Sequence, residues 1–309
     1  MKSMHLIEAE KNPALVEVDV PRPMPRKGEV LIRVRAAGVT PTEVAWYPTS
    51  HTRDGEERAG AVPSHEFSGE IAYVGDAIEG LSPGQEIYGM NDWFADGALA
   101  EYCITQPGWI APKPQSLGHA AAASIPIGAL TAWQGLFERA KLQRGERVLV
   151  HGGAGAVGAF AVQLARLHGA RVIATVSARD LEFVKELGAD EALDYKAGPF
   201  EERVRNIDVV FDAVGGQTLQ RSWGVLNCRG RLVTIASNGE VASDERIKHA
   251  FFIVEPHAEQ LVEIAKLLDL GDLRTFVRAV LPLSQASDAY AGRVEKSGRG
   301  KLVITIPET

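Results

Sequence analysis

Over the first third of the chain, apolar residues recur every second position in short runs broken by turn signals. The runs LVEVDV, VLIRVRAAGV, EFSGEIAYVG, GQEIYGM and ALAEYCIT are separated by segments such as PRPMPRKGE. Leu31, Arg33 and Arg35 alternate against Ile32, Val34 and Ala36, the period of two expected of half-buried antiparallel strands. Residues 1 to about 117 therefore read as a β-rich domain.

From Arg147 the rhythm becomes strand, helix, strand. RVLVHGG is a short apolar strand ending in glycine, and residues 156–168 are apolar almost all round, as a buried helix is. RVIATVS is a second strand, and ARDLEFVKELG is an amphipathic helix closed by Gly188. EALDY, DVVFDAVGG, QTLQRSWGVL, GRLVTIAS and HAFFIVE continue the alternation. Parallel neighbours need a crossover, so this spacing predicts a doubly wound parallel sheet of the Rossmann type. A helix at about 257–269 follows, and then FVRAVLPL, SQASDAYAGRVEKS and KLVITI read as strand, helix and strand. The expected division is residues 1–117, a dinucleotide-binding domain over 118–271, and a return of 272–309 to the first domain.

Composition narrows the class. A chain of 309 residues, 45% apolar and 24% charged, can bury a substantial core and suggests two domains. Its net charge of −7 and lack of a Lys/Arg cluster argue against nucleic acid as a partner. Cys103 and Cys228 are too few for a disulfide framework and fit a reducing compartment. Charges interrupt the N-terminus early, and the weakly polar stretch 120–133 is too short to span a bilayer, so a cytoplasmic protein with no membrane partner is expected.

The clearest chemistry lies in GAGAVG, where Gly153, Gly155 and Gly158 form G-x-G-x-x-G between a strand and an apolar helix. Together with Ala154, Ala156 and Val157 this loop is a candidate pyrophosphate site. The backbone must approach the anion closely there, and the helix N–H groups and dipole face its oxygens. About 20 residues on, where an acid would bind the ribose of NAD, stand Ser177, Ala178 and Arg179. A hydroxyl and a guanidinium suit a 2′-phosphate, so NADP(H) is the expected cofactor. Asp180 is the nearest acid and fits equally well in the first turn of the following helix.

The ordered series GEVLIRVRAAGVTPTE, PSHEFSGEIAYVG, DGALAEYCI, PKP, AASIPIGALTAWQGL, VLVHGGAGAVGAFAVQLA, ELGADEALDY, DVVFDAVGG and SGRGKLVI resembles the medium-chain dehydrogenase/reductase superfamily, in its zinc-free quinone oxidoreductase branch. The resemblance runs over nearly the whole chain. It implies a GroES-like catalytic domain made of both chain ends, a Rossmann domain between them, and hydride transfer in the cleft. It places Tyr195 near the 2′-phosphate, and Ala213, Val214, Ile235, Ala236 and Ser237 along the cofactor. It also sets Phe251, Phe252, Ile253 and Val254 against the nicotinamide carboxamide, and adds Thr131 to the cofactor set.

Zinc-dependent relatives use three ligand positions, which in this chain hold Thr40, His65 and Ile127. One imidazole beside a hydroxyl and an aliphatic chain is not a catalytic zinc site, and no metal is expected. The implied chemistry is hydride transfer from NADPH to an electron-poor quinone or α,β-unsaturated carbonyl, with Thr40, Tyr47 and Trp93 as candidates for lining the substrate pocket. Three alternatives stay open: a zinc-free NADP-dependent alcohol dehydrogenase, an enoyl-thioester reductase, and an NADPH-binding protein without turnover. Exposed sheet edges and the resemblance point to a homodimer.

Overall fold

A computed structural model describes residues 1–8, 14–236, 244–295 and 298–307. The chain forms two units: Met1–Ile127 with Pro256–Gly271 and Thr275–Thr309, and Gly128–Glu255 with Asp272–Arg274.

The first unit is β-rich. Strands β1 (Lys2–Glu8) and β2 (Ala14–Asp19) pair antiparallel. The larger sheet contains β3 (Val30–Gly38), β4 (Glu66–Val74), β5 (Glu86–Met90), β6 (Tyr102–Thr105) and β7 (Ile110–Pro112). Near the C-terminal end, β13 (Val277–Pro282) and β14 (Lys301–Thr305) complete it in the order β13-β14-β3-β4-β5-β7, with β6 beside β3. β14 pairs antiparallel with β3, so the C-terminal strand lies in this unit's sheet. The alternation read for β3 is weaker than the sequence suggests. Leu31 and Ile32 are both buried and Arg33 and Arg35 half-buried, since β3 lies between β4, β6 and β14 with side chains covering both faces. Strand β1 carries Lys2, His5 and Glu8 and gave no strand signal in the sequence.

The second unit holds β8 (Arg147–His151), β9 (Arg171–Val176), β10 (Glu191–Asp194), β11 (Ile207–Asp212) and β12 (Leu226–Thr234). All are parallel, in the order β10-β9-β8-β11-β12. The direction of winding reverses between β8 and β11, and in such sheets ligands bind at the carboxyl ends of the two strands that flank the reversal. Val148, Leu149, Val150, Val209, Val210 and Phe211 are all fully buried, which explains the continuous apolar runs.

Two boundaries differ from the sequence reading. Residues 118–127 and 256–271 belong to the first unit, where two buried polar contacts and one exposed one tie them to it. The Ile127 N–H donates to the Glu66 carboxylate at 3.0 Å, the Tyr88 hydroxyl donates to the Leu261 carbonyl at 2.6 Å, and the Ser116 N–H donates to Asp269 at 2.9 Å. HAFFIVE is not a strand: the helix Glu245–Ala250 ends there, and only Phe251 bridges to Thr234. The helical run His119–Arg139 is 21 residues long and apolar enough to cross a membrane by length and composition. It exceeds the stretch marked in the sequence and is mostly buried within the protein.

Candidate functional site

A cavity of about 710 Å³ opens at the carboxyl ends of β8, β9 and β11. Its floor is the glycine loop, and each glycine there has its own steric reason. Gly152 takes φ +76°, a left-handed turn costly for other residues, and a Cβ on Gly153 would stand 2.9 Å from the Ala174 Cβ of β9. A Cβ on Gly158 would overlap the Gly152 carbonyl oxygen, so the helix Gly158–Leu167 could not begin where it does. The Gly152 and Gly153 N–H groups donate to the Thr175 carbonyl at 3.1 and 3.2 Å, tying the loop to β9. A dinucleotide pyrophosphate fits this cradle, which side chains at the glycines would fill.

Of the candidate cofactor residues, Ala154, Gly155, Ala156, Val157, Gly158, Ser177, Arg179, Tyr195, Ala213, Val214 and Ile235 line the cavity. Gly153 packs beneath it. Ala178, Ala236 and Thr131 are not in its wall, nor is 251–254, where Phe252 and Val254 are buried. Ser237 lies outside the described residues. The wall also contains His151, Gly152, Thr175, Asp180, Phe200, Thr218 and Arg221, which the sequence reading did not select. The doubled glycine of HGGAG was a local signal for Gly152. Thr218 and Arg221 carry none, since a helix after β11 brings them in.

The end of the cavity expected to receive a 2′-phosphate is more acidic than the sequence suggests. The Ser177 hydroxyl donates to Asp180 Oδ2 at 2.6 Å, and the Arg179 Nε–H reaches the same oxygen at 3.4 Å. Asp180 is buried, while the Arg179 side chain is 80% exposed. Tyr195 is exposed beside them, with Lys196 Nζ 5.6 Å above its ring. Across the cavity, Arg221 bonds both oxygens of Glu201, at 2.9 and 3.2 Å. Beneath the loop, His151 is fully buried between the hydroxyls of Thr175 (2.9 Å) and Ser222 (3.0 Å). Burial pulls its imidazole down to about 3, so it is neutral at pH 7.

In the first unit, the positions of the zinc ligands hold a different polar assembly. His65 is buried, with Nδ1 2.6 Å from Glu43 Oε2 and Nε2 3.1 Å from the Ala95 carbonyl oxygen. Glu43 also accepts from the Ser64 N–H at 3.0 Å and from the Tyr290 hydroxyl. Burial pushes the Glu43 carboxyl up, but the hydrogen bond and charge of His65, with those of Tyr290 and Ser64, outweigh it and hold the group below the usual range. Glu66 pairs with Lys301, and Ile127 offers only an aliphatic side chain. With both His65 nitrogens already facing acceptors, these residues do not fit a zinc ion. Among the described residues no group of three His, Cys, Asp or Glu side chains could hold a metal.

The three candidate substrate residues have different settings. The Thr40 hydroxyl oxygen is buried without a hydrogen-bond partner. Trp93 is buried in an aromatic cluster, 4.7 Å from Trp46 and 4.9 Å from His65. Tyr47 is exposed, stacked on His51 at 4.2 Å.

A family model described as alcohol dehydrogenase GroES-like domain matches residues 26–115, and one described as zinc-binding dehydrogenase matches residues 187–304. The chloroplast envelope quinone oxidoreductase homolog of Arabidopsis thaliana is 29% identical, over 94% of this chain and 93% of that protein. The 2-methylene-furan-3-one reductase of Solanum lycopersicum is 31% identical, over 98% of this chain and 76% of that protein. The solved structure of the quinone oxidoreductase from Coxiella burnetii superposes with a TM-score of 0.87 at 28% identity, covering 99% of each chain.

Proposed function

The chain belongs to the medium-chain dehydrogenase/reductase superfamily, and from that membership we propose that it is an NADPH-dependent, zinc-independent reductase of quinones and α,β-unsaturated carbonyl compounds. The observation that carries this reading is the glycine-floored cavity at the point where the parallel sheet reverses its winding. A bound reduced nicotinamide supplies the hydride. The loop glycines admit the pyrophosphate, and the start of the helix Gly158–Leu167 lends its dipole to the negative charge. Arg179 supplies a cation for the 2′-phosphate.

A saturated carbonyl benefits from a Lewis acid as charge builds on its oxygen, and the Thr40, His65 and Ile127 positions do not provide one. A conjugated acceptor spreads that charge over several atoms, so orientation and hydrogen bonding suffice. Tyr47, the exposed member of the candidate substrate residues, faces the acceptor in this reading, and the proton that completes the reduction comes from solvent. The same reading carries a homodimer in the cytoplasm.

Assaying NADPH oxidation across quinones, enones and acyl thioesters, with and without a strong chelator, tests the proposal. Turnover of quinones and enones that chelator leaves unchanged is expected. Turnover confined to simple alcohols with NADP⁺, or abolished by chelator and restored by zinc, would overturn it.

A further inference from the structure

Asp212 and Thr234 are both fully buried, and each is the last residue of its strand. They are direct partners in the parallel register of β11 and β12. The Asp212 carboxylate is held by three neutral donors. Val214 N–H donates to Oδ1 at 3.2 Å, Gly215 N–H to Oδ1 and Oδ2 at 3.1 and 3.0 Å, and the Thr234 hydroxyl to Oδ2 at 2.8 Å. Thr234 Oγ1 accepts in turn from the Ala236 N–H at 3.2 Å. One carboxylate and one hydroxyl therefore connect the loop after β11 to the loop after β12. Ala213 and Val214 of the first loop and Ile235 of the second line the cavity.

This arrangement is costly unless something depends on it. Burial raises the Asp212 carboxyl above the usual range, against the pull of its hydrogen bonds. An apolar residue at the strand end would avoid that cost, but it could not hold N–H groups of a turn in which Gly215 takes φ +75°. The strand hydrogen bonds end at these two residues. Just past the end of β12, the Ile235 N–H donates to the Asp212 carbonyl at 3.1 Å, a backbone tie beside the side-chain link.

We propose that Thr234 is a positioning residue for the dinucleotide: its hydroxyl, shared between Asp212 and the Ala236 N–H, sets the spacing of two loops that border the cofactor. This rests on the reading of the cavity as the dinucleotide site. The loops are set apart from Ser177 and Arg179 at the end of β9, so the link serves the part of the cofactor that NADPH and NADH share.

The test is direct titration of the full-length protein with NADPH and with NADH, alongside circular dichroism and thermal unfolding. Removal of a hydrogen bond to a charged group predicts that Thr234→Val weakens both cofactors by about tenfold and leaves their ratio unchanged. Thr234→Ser, which keeps the hydroxyl, should stay within about twofold of the wild type. Asp212→Asn keeps the side-chain size and some of the bonds but loses acceptor capacity, and it should weaken both cofactors even if the valine variant does not fold. Wild-type affinity for both cofactors in a folded Thr234→Val or in Asp212→Asn would overturn the inference, as would a serine variant as weak as the valine one. A wild-type protein that binds neither dinucleotide would instead overturn the cofactor reading, and this inference with it.

Discussion

Arg179 shows what a single residue can decide. Its guanidinium is exposed at the edge of the cavity and shares Asp180 with Ser177. A 2′-phosphate has to draw the Ser177 hydroxyl away from Asp180, which leaves Arg179 as the main source of preference for NADPH. A charge-assisted hydrogen bond is worth about 1.5–3 kcal/mol, and at so exposed a site the lower end applies. Arg179→Ala should therefore weaken NADPH about tenfold and leave NADH unchanged in equilibrium titrations. Equal loss of both cofactors would show that Arg179 serves the loop and not the phosphate. The sequence pointed to Ser177 and Arg179 by their place about 20 residues past the glycine loop and by the hydroxyl and guanidinium they carry. It did not show that Asp180 turns back into the same cavity, because a first-turn acid looks the same whether it faces solvent or a neighbouring hydroxyl.

Among the secondary-structure elements, the glycine loop and β12 stand at opposite ends of legibility. The loop was plain in the sequence because its glycines answer to contacts within a short stretch: Gly158 against Gly152, and Gly153 against the next strand. Strand β12 was readable as a strand, but its place as the last strand of the parallel sheet, among the described residues, is a matter of topology. An open edge is a template for pairing with a second copy, and its residues Cys228 and Arg229 are exposed. Sedimentation at micromolar concentration should give a species of twice 33.3 kDa, and a monomer would overturn the homodimer. FFIV failed as a strand for a related reason. Its apolar side chains are buried in part, but it makes only one bridge, to Thr234, and burial alone does not make a strand.

For the molecule as a whole, the buried imidazole of His151 links folding to pH. In the folded protein it stays neutral down to about 3, whereas the unfolded chain takes up a proton below 6.5. This group's contribution to stability is complete above pH 6.5 and is lost progressively as pH falls from there towards 3. The loss reaches about 1.4 kcal/mol per pH unit, or about 2 kcal/mol between pH 6.5 and 5. Urea unfolding of the wild type and of His151→Gln over that range should differ in slope by about one proton, and identical slopes would show that the imidazole is charged in the folded state. The sequence by itself determined the change of rhythm near Arg147 and the strand-loop-helix around the glycine loop, because each depends on residue type and local spacing. The tertiary structure alone decided that residues 118–127 and 256–271 join the β-rich unit, that Glu43 meets both His65 and Tyr290, and that Asp212 meets Thr234. Those partners lie between 22 and 247 positions apart in the chain. Only burial, which makes an unpartnered polar group costly, selects such pairs, and burial is not written in any one segment.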